Sequence, residues 1–295
     1  MKIALFNHEM LKAEHQLFST LAGEDAPAWW SVVKADKDLY IEVRKQNIID
    51  IYFMGGRIAE AKYDFRLQKV KVTTHPKYMG YKDERDSNYY RKTINSKGKT
   101  IYVAKYTDCE EWLTSRLSEL KDNITDVYSK EDNGESTKEK LIQGTLIING
   151  RDKYIDSEFA HQFEKGSKNT IRIDLIKIEN NQFVFEELKR IGDNRLRNTD
   201  GNPEILTQME NYRDFLRVNH EALTKYYRKL YTIKKNILGL TVPDVKDINT
   251  VTMSSEPQLL IANNYEKTTD ERTKRIEAIE EALATIHVKP NYIYL

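Results

Sequence analysis

Two carboxylates and a lysine stand close together in the second half of the chain. Asp174 lies in the segment IRIDLIKI, and Glu187 and Lys189 lie in QFVFEELKR. Both segments are rich in β-branched and aromatic residues, and Asn180-Asn181 between them favours a turn, so they predict two consecutive strands. Side chains alternate along a strand, which puts Glu187 and Lys189 on the same face. If the two strands pair, Asp174 and Glu187 converge.

Carboxylates that converge from neighbouring strands, with few softer ligands nearby, suit Mg²⁺, which binds one or two carboxylates and keeps several waters. A lysine beside them can orient an attacking water or help to deprotonate it, and it offsets phosphate charge. These residues therefore predict metal-assisted hydrolysis of a phosphodiester. The alternative is a solvated strand carrying Asp174 between Arg172 and Lys177, with Glu187 and Lys189 as a surface ion pair worth under ~1 kcal/mol.

The order of these residues resembles the signature of the PD-(D/E)XK nuclease superfamily. Asp174 is followed on the next predicted strand by Glu187-Leu188-Lys189. The chain departs from the pattern at Ile173, which stands where the motif has its proline. The resemblance implies a mixed central β-sheet flanked by helices, the restriction-endonuclease-like fold, for the C-terminal half of an α/β (α+β) chain.

The resemblance extends to both sides of the two strands, from about Tyr154 to Leu216. Glu158 falls in a helix predicted for 156–164, where many family members carry an additional acidic metal ligand. Gln208 and Tyr212 match the QxxxY pattern of the RecB-like branch, and a spacing of four places them on one helical face. The alternative for this pair is that they are packing positions on a helix that covers a sheet.

The family implies a Mg²⁺-dependent nuclease, with Mn²⁺ as a possible substitute, acting on nucleic acid, and DNA is the expected substrate although RNA stays open. Its biological setting would be restriction, defence or repair, which is an analogy from the fold. By the same resemblance, the catalytic residues are Asp174, Glu187 and Lys189, the metal ligands are Glu158, Asp174 and Glu187, and the supporting or phosphate-binding residues are Gln208 and Tyr212.

A second acid-and-lysine arrangement lies in the N-terminal half. Asp50 precedes a turn at Gly55-Gly56, and Glu60-Ala61-Lys62 follows on the next predicted strand. This copy has no preceding acidic helix and no following QxxxY helix, so the copy that contains Glu187 is the predicted site.

The charges sum to almost zero, with 47 Lys and Arg against 46 Asp and Glu, but they are unevenly distributed. Residues 62–105 contain 12 basic and four acidic residues with tyrosines among them, and residues 213–235 contain seven basic and two acidic ones. Basic residues interleaved with aromatic ones can follow a phosphate backbone and stack on bases. The second stretch lies beside the predicted site, and solvated charged faces are the alternative for both.

The elements that must position these residues divide into two predicted domains. Residues 1–128 read as a β-rich domain with flanking helices, residues 129–140 as a polar linker, and residues 141–295 as the nuclease-like domain. In the first domain, a helix is predicted over 7–21, a hairpin around Ser96–Lys99, and a helix capped by Thr107 and Glu110. In the second, a helix starts at Asn202-Pro203, a second continues to Leu238, QLLIA and NYIYL read as strands, and Thr268 with Glu271 caps the last helix.

Composition excludes several other classes of protein. The single Cys109 allows no intrachain disulfide and no cysteine-cluster zinc site, which favours a reducing, cytoplasmic location. The six histidines show no metal-ligand spacing, and no apolar run approaches the ~20 residues of a membrane helix. The sequence leaves a dimer possible. Two alternatives to the enzyme remain: a module with the nuclease fold that binds nucleic acid or protein without cleavage, and an adaptor assembled through its tyrosine-rich sheet.

Overall fold

The computed structural model describes residues 3–131, 135–162, 170–197, 203–263 and 269–294. The chain forms two compact units. The N-terminal unit comprises Leu11–Ile148 and Asn236–Leu240, and the C-terminal unit comprises Met1–Met10, Asn149–Lys235 and Thr241–Leu295. The division thus falls at residue 148, and the first ten residues belong to the second unit. The described part is a mixed α/β protein with seven α-helices.

The N-terminal unit is built on a five-stranded antiparallel sheet in the order β1-β2-β3-β4-β7. β-strands are present in this half as predicted, alongside helices. β4 alternates buried and more exposed residues, as expected for a strand with one covered face, whereas β1 and β2 are buried over most of their length. Its core includes Phe18, Trp29, Val43 and Ile51, all fully or almost fully buried. The strands are β1 (Leu39–Arg44), β2 (Ile48–Phe53), β3 (Gly56–Asp64), β4 (Lys69–Thr74) and β7 (Thr107–Asp108).

A separate two-stranded antiparallel sheet lies between β4 and β7 in the chain. It pairs β5 (Tyr90–Ile94) with β6 (Thr100–Ala104). The turn has Gly98 at φ 73°, a left-handed conformation that glycine adopts without steric cost. The predicted hairpin around Ser96–Lys99 is therefore confirmed.

The helices of the N-terminal unit depart from prediction in several places. The helix predicted over 7–21 is a short 3-10 turn, His8–Met10, and a separate α1 (Gln16–Ala22) that His15 caps. A further helix, α2 (Ala28–Ala35), follows Pro27 and buries Trp29 and Trp30. The expected cap at Thr107 is wrong because that residue pairs in β7, and α3 (Glu110–Ser115) begins after Cys109.

The polar segment predicted as a linker is helical on both sides. α4 (Leu117–Glu131) and α5 (Glu135–Asn149) cover most of 129–140, and residues 132–134 lie outside the described residues. The prediction was wrong because it depended on the absence of apolar residues. Lys and Glu are strong helix formers, so a polar run can form helix wherever the adjoining turns are anchored.

The C-terminal unit contains a mixed six-stranded sheet in the order β13-β12-β10-β9-β8, with β11 also paired to β10. β9 is antiparallel to both β8 and β10, whereas β10 runs parallel to β12, and β12 to β13. The mixed sheet agrees with the expectation at this coarse level. The strands are β8 (Tyr154–Gln162), β9 (Thr170–Glu179), β10 (Gln182–Arg190), β11 (Thr252–Met253), β12 (Gln258–Asn263) and β13 (Asn291–Tyr294).

The helix predicted for 156–164 is wrong, because this segment is β8. The segment instead pairs with β9 from Tyr154 to Gln162. Tertiary pairing overrides weak local periodicity, especially in a segment that carries strand-favouring aromatic and β-branched residues. Glu164 lies outside the described residues.

A long helix, α6 (Glu204–Thr232), packs on this sheet, where Tyr227 contacts Phe183 and Phe185. Two helices were expected with a break near Asn219, but the side chain of Asn219 donates to Phe215 and Ala4 and accepts from Phe6, so the helix continues through it. A π-helical turn, Ile233–Ile237, ends it. The last helix is α7 (Asp270–Ala284), capped by Thr269, whereas Asn202 and Thr268 lie outside the described residues.

Candidate functional site

The β9–β10 hairpin brings the predicted carboxylates to neighbouring strands. Asn180 and Asn181 both adopt positive φ, 49° and 61°, as a tight two-residue hairpin turn requires. The ladder pairs Glu186 with Leu175, which places Asp174 beside the start of the Glu187-to-Lys189 segment. Asp174 Oδ2 accepts a hydrogen bond from the backbone N–H of Leu188 at 2.9 Å, so the two strands hold this carboxylate in a fixed position.

Lys189 lies between the two carboxylates. Its side chain is almost completely buried, and its ammonium donates to Glu187 Oε1. The same Nζ donates to the carbonyl of Leu188 at 2.8 Å and lies 3.9 Å from Asp174 Oδ2. A buried ammonium is stable only when it is paired and hydrogen-bonded, and this one has both kinds of contact. The structure therefore brings Asp174, Glu187 and Lys189 together, as the sequence predicts.

Gln208 and Tyr212 extend from α6 to the same carboxylate. Gln208 Nε2 donates to Glu187 Oε1 at 2.7 Å, and the Tyr212 hydroxyl donates to Glu187 Oε2 at 3.1 Å. Tyr212 also contacts the carbonyl of Arg172, and Gln208 Nε2 lies 2.6 Å from its hydroxyl. Because the two residues are four apart, they lie on one face of the helix and reach the site as a unit. The QxxxY pair thus orients Glu187 directly.

One atom of this pair has no hydrogen-bond partner among the described residues. Gln208 Oε1 is buried there, although the other end of the same amide is fully used. A buried acceptor without a donor costs about 1–3 kcal/mol, so such atoms in native proteins usually mark a place for water, an ion or a ligand. Here the atom lies next to a carboxylate pair.

Burial, together with the negative charge of Glu187, raises the pKa of Asp174 from 3.8 to about 7. Burial is the larger of these two causes. Lys189 and the Leu188 N–H act in the opposite direction, and the charge of Glu158 adds to the rise. The effects of burial and of the neighbouring acids on Asp174 thus outweigh the charge of Lys189. Shifted carboxyl groups of this kind are typical of functional sites, where like charges are held close together.

Glu158 reaches this neighbourhood from β8, so its expected place in a helix is wrong. It adopts φ 49°, a left-handed conformation that is uncommon for a residue other than glycine. The ladder between β8 and β9 also shifts register between Tyr154 and Asp156. Strained residues and bulges concentrate at functional sites, where they re-aim side chains. Glu158 acts on Asp174 through its charge.

The donor set fits a hard cation with a partly hydrated shell. No cluster of three or more histidine, cysteine or acidic side chains that could hold a metal occurs within residues 3–131, 135–162, 170–197, 203–263 and 269–294. The three-carboxylate ligand set implied by the family is therefore not assembled. What is assembled is the pair Asp174 and Glu187, and Mg²⁺ commonly binds one or two protein carboxylates and completes its shell with water.

The loop after β10 contributes two residues that sequence reasoning missed. Asp193 accepts from the backbone and side chain of Arg195 at 2.8 and 3.0 Å, and Asp193 Oδ2 lies 2.6 Å from the other guanidinium nitrogen. These hydrogen bonds outweigh burial and lower the pKa of Asp193, and the charge of Lys189 contributes in the same direction. The signal available in the sequence for this pair was an acid two residues before an arginine, shortly after a buried strand.

The second basic stretch, residues 213–235, is committed to contacts within its own unit. Each of its seven cations has a protein partner, which reduces its capacity to bind phosphate. Arg213 and Arg217 pair with Glu256, Lys225 with Glu221, Lys229 with Glu9 and Lys235 with Asp244, while Arg228 donates to the Val251 carbonyl and Lys234 to that of Ile155.

The N-terminal copy of the acid-and-lysine arrangement is also on paired strands, with Asp50 directly opposite Glu60. Arg57 Nη1 lies 3.2 Å from Asp50 and 2.9 Å from Glu60, and Arg44 Nε lies 3.2 Å from Asp50. Lys62 pairs with Glu60 at 2.5 Å. This copy is an ion-pair network within a sheet, as its lack of the flanking elements indicates.

Comparison of the chain with protein-family models, with curated proteins and with solved structures finds no match. None of the described helices is both long enough and apolar enough to cross a membrane. The functional assignment therefore depends on the geometry and charge of the site itself.

Proposed function

We propose that the protein is a Mg²⁺-dependent nuclease that hydrolyses phosphodiester bonds of DNA, with Mn²⁺ able to replace Mg²⁺. The observation that carries the proposal is the contact set of Glu187, whose two carboxylate oxygens accept from Lys189, Gln208 and Tyr212 while Asp174 is held beside it. The five residues that the motif predicts lie on three separate elements, β9, β10 and α6. They meet around one carboxylate pair.

The proposed fold is the restriction-endonuclease-like arrangement of the C-terminal unit. Its mixed sheet carries the acid and the E-x-K segment on consecutive antiparallel strands, with a helix bearing QxxxY packed beside them. The setting proposed by analogy is cytoplasmic restriction, defence or repair.

Asp174 and Glu187 would hold the metal, and Glu158 would contribute negative charge. When bound, Mg²⁺ supplies Lewis-acid stabilisation of the phosphoryl charge and lowers the pKa of water. Lys189 is already fixed by Glu187 and the Leu188 carbonyl, so its ammonium can position an attacking water without losing side-chain freedom during the reaction. Gln208 and Tyr212 keep the Glu187 carboxylate in one orientation, which is a positioning role.

A second candidate function is a non-catalytic module with the same fold that binds nucleic acid or a protein. The observation that favours it is the near-complete burial of Glu187, with both of its oxygens already accepting from protein donors. Such a carboxylate would need to exchange at least one protein contact before it bound a metal.

Cleavage assays on plasmid and single-stranded DNA, with Mg²⁺ or Mn²⁺, test the first proposal. The wild type should cleave, and Asp174→Asn, which keeps the shape of the side chain and removes its charge, should be slower by at least about 100-fold. Glu60→Gln in the N-terminal copy is the matched control and should cleave at the wild-type rate.

Absence of cleavage by the wild type with either metal, combined with DNA binding, would favour the non-catalytic module. Equal cleavage by the wild type and Asp174→Asn would show that the site lies elsewhere. A loss of activity in Glu60→Gln but not in Asp174→Asn would reverse the roles of the two copies.

A further inference from the structure

The two-stranded sheet of the N-terminal unit, called here the β5–β6 ribbon and comprising Tyr90–Ala104, carries unpaired positive charge. Its strand residues and turn include four cations and no acid. Arg91, Lys92, Lys97 and Lys99 are all exposed, and within the described part of the chain none of them forms an ion pair. This contrasts with residues 213–235, where every cation has a partner.

The turn of the ribbon fixes two of these lysines at its tip. Asn95 Oδ1 accepts from the backbone N–H groups of Lys97 and Lys99 at 2.9 and 3.0 Å, and the Asn95 N–H donates to the Lys99 carbonyl at 2.9 Å. Gly98 supplies the left-handed residue that this turn requires. Both lysine backbones are therefore set by the asparagine.

The base of the ribbon is anchored by aromatic contacts. Tyr90 is buried and donates from its hydroxyl to the carbonyl of Tyr81 at 2.8 Å. The rings of Tyr81 and Tyr89 stack with centroids 3.8 Å apart. Lys105 Nζ donates to the carbonyl of Ser87 at 2.7 Å. The ribbon is thus attached at one end and exposes cations along its length and at its turn.

Apolar side chains stand among these cations. Ile94 is 71% exposed, and Ile101 and Val103 are each 38% exposed. Cross-strand pairing places Arg91 opposite Val103, and Thr93 opposite Ile101. A strand pair that exposes aliphatic residues next to cations without ion pairs fits a ligand that is both anionic and able to cover apolar surface.

We propose that the β5–β6 ribbon binds duplex nucleic acid, with its four cations on the phosphates and its exposed aliphatic residues against a groove. A two-stranded β-ribbon fits the major groove of a duplex, and aliphatic side chains contact base edges or methyl groups there. Single strands are bound through exposed aromatic platforms, but Tyr90 is buried and Tyr102 is half-buried. The choice of nucleic acid as ligand rests on the proposed function.

The test replaces Arg91, Lys92, Lys97 and Lys99 together with glutamine and measures binding of a fluorescent 20-base-pair duplex in EDTA. The matched control replaces four other exposed lysines with glutamine and changes the net charge equally: Lys12, Lys246, Lys274 and Lys289.

The ribbon variant should bind about 10- to 100-fold more weakly at 100 mM salt. The slope of log affinity against log salt concentration should become shallower by up to about 0.9 for each phosphate contact that is lost. The control variant should bind like the wild type. Thermal unfolding of both variants verifies that they fold.

Several results would overturn the proposal. An equal loss of duplex affinity in both variants would mean that binding follows net charge. Failure of the wild type to bind the duplex would show that duplex nucleic acid is not the ligand. Preference for a single strand of the same length would contradict the groove. Binding to vesicles with 30% phosphatidylserine that only the ribbon variant loses, with duplex binding intact, would assign the ribbon to a membrane. Because EDTA prevents metal-dependent cleavage, duplex binding without later Mg²⁺-dependent cleavage would count against the nuclease alone.

Discussion

The chain carries an acid followed by an E-x-K segment on two pairs of neighbouring strands, and the two copies differ in how their charge is balanced. In the N-terminal copy, Asp50 and Glu60 contact Arg44, Arg57 and Lys62. In the C-terminal copy, the ammonium of Lys189 lies beside Asp174 and Glu187, and the neutral groups of Gln208 and Tyr212 also donate to Glu187.

The difference shows that the local motif does not define a metal site. Carboxylates already matched by guanidinium groups have little need of another cation, because Arg binds them with several directed hydrogen bonds. The carboxylates that Arg44 and Arg57 contact are thus structural. In the C-terminal copy, negative charge exceeds positive charge in a buried setting, and a divalent cation would restore the balance.

The largest expected difference between the two copies concerns their lysines. Lys189→Met should lower the free energy of unfolding at pH 7 by about 3 kcal/mol, because it leaves Glu187 buried without its ion-pair partner. Lys62→Met should cost under about 1 kcal/mol, because the side chain of Lys62 is 52% exposed and its pair with Glu60 is solvated. Urea unfolding of both variants measures the difference, and equal costs would contradict the contrast in burial.

The acids of the two copies should respond to neutralisation with opposite signs. The folded protein holds the Asp174 proton up to about pH 7, whereas the unfolded chain releases it near 3.8. Ionisation therefore opposes folding, and the wild type should lose stability through this group as pH rises across that interval. In EDTA at pH 8, Asp174→Asn should be more stable than the wild type by on the order of 1–3 kcal/mol.

Asp50→Asn should instead lose on the order of 1–3 kcal/mol at the same pH, because Arg44 and Arg57 lose a charged partner. Thermal unfolding at pH 5 and pH 8 checks both changes. If Asp174→Asn were destabilised at pH 8 as much as Asp50→Asn, the uncompensated charge at the C-terminal site would be refuted.

The smallest expected difference concerns the tyrosines that contact the acids. Tyr212→Phe removes the hydroxyl that donates to Glu187 and contacts the Arg172 carbonyl, so it should cost about 1 kcal/mol and slow DNA cleavage by roughly 10-fold. Tyr52→Phe removes an acceptor that Arg44 contacts at 2.7 Å and should cost about as much stability, with no change in cleavage. A cleavage rate unchanged in Tyr212→Phe would remove its positioning role.

The predictable part of the site was its hairpin. β9 and β10 are long runs of strand-favouring residues joined by Asn180-Asn181, so their pairing and the convergence of Asp174 with Glu187 follow from local chemistry. The four-residue spacing of Gln208 and Tyr212 likewise fixes one helical face. These elements needed no information from distant parts of the chain.

The unpredictable part depended on distant contacts. β8 is a strand because β9 pairs with it, whereas the local sequence of 156–164 predicted a helix. The cations of residues 213–235 are neutralised partly by Glu9 and Glu256, which are remote in sequence. Composition located the basic residues, but only the fold shows that the four cations of the β5–β6 ribbon form no ion pair within the described part of the chain.

The central claim is that the C-terminal acid pair, and not the N-terminal one, holds a divalent cation. Titration of the metal-free protein with Mn²⁺ measures this directly. Binding is monitored as the loss of the electron paramagnetic resonance signal of the free ion. The wild type and Glu60→Gln should each bind Mn²⁺ with the same affinity, and Asp174→Asn should bind it at least about 10-fold more weakly. Equal affinity in the wild type and Asp174→Asn, or loss of binding in Glu60→Gln alone, would contradict the claim.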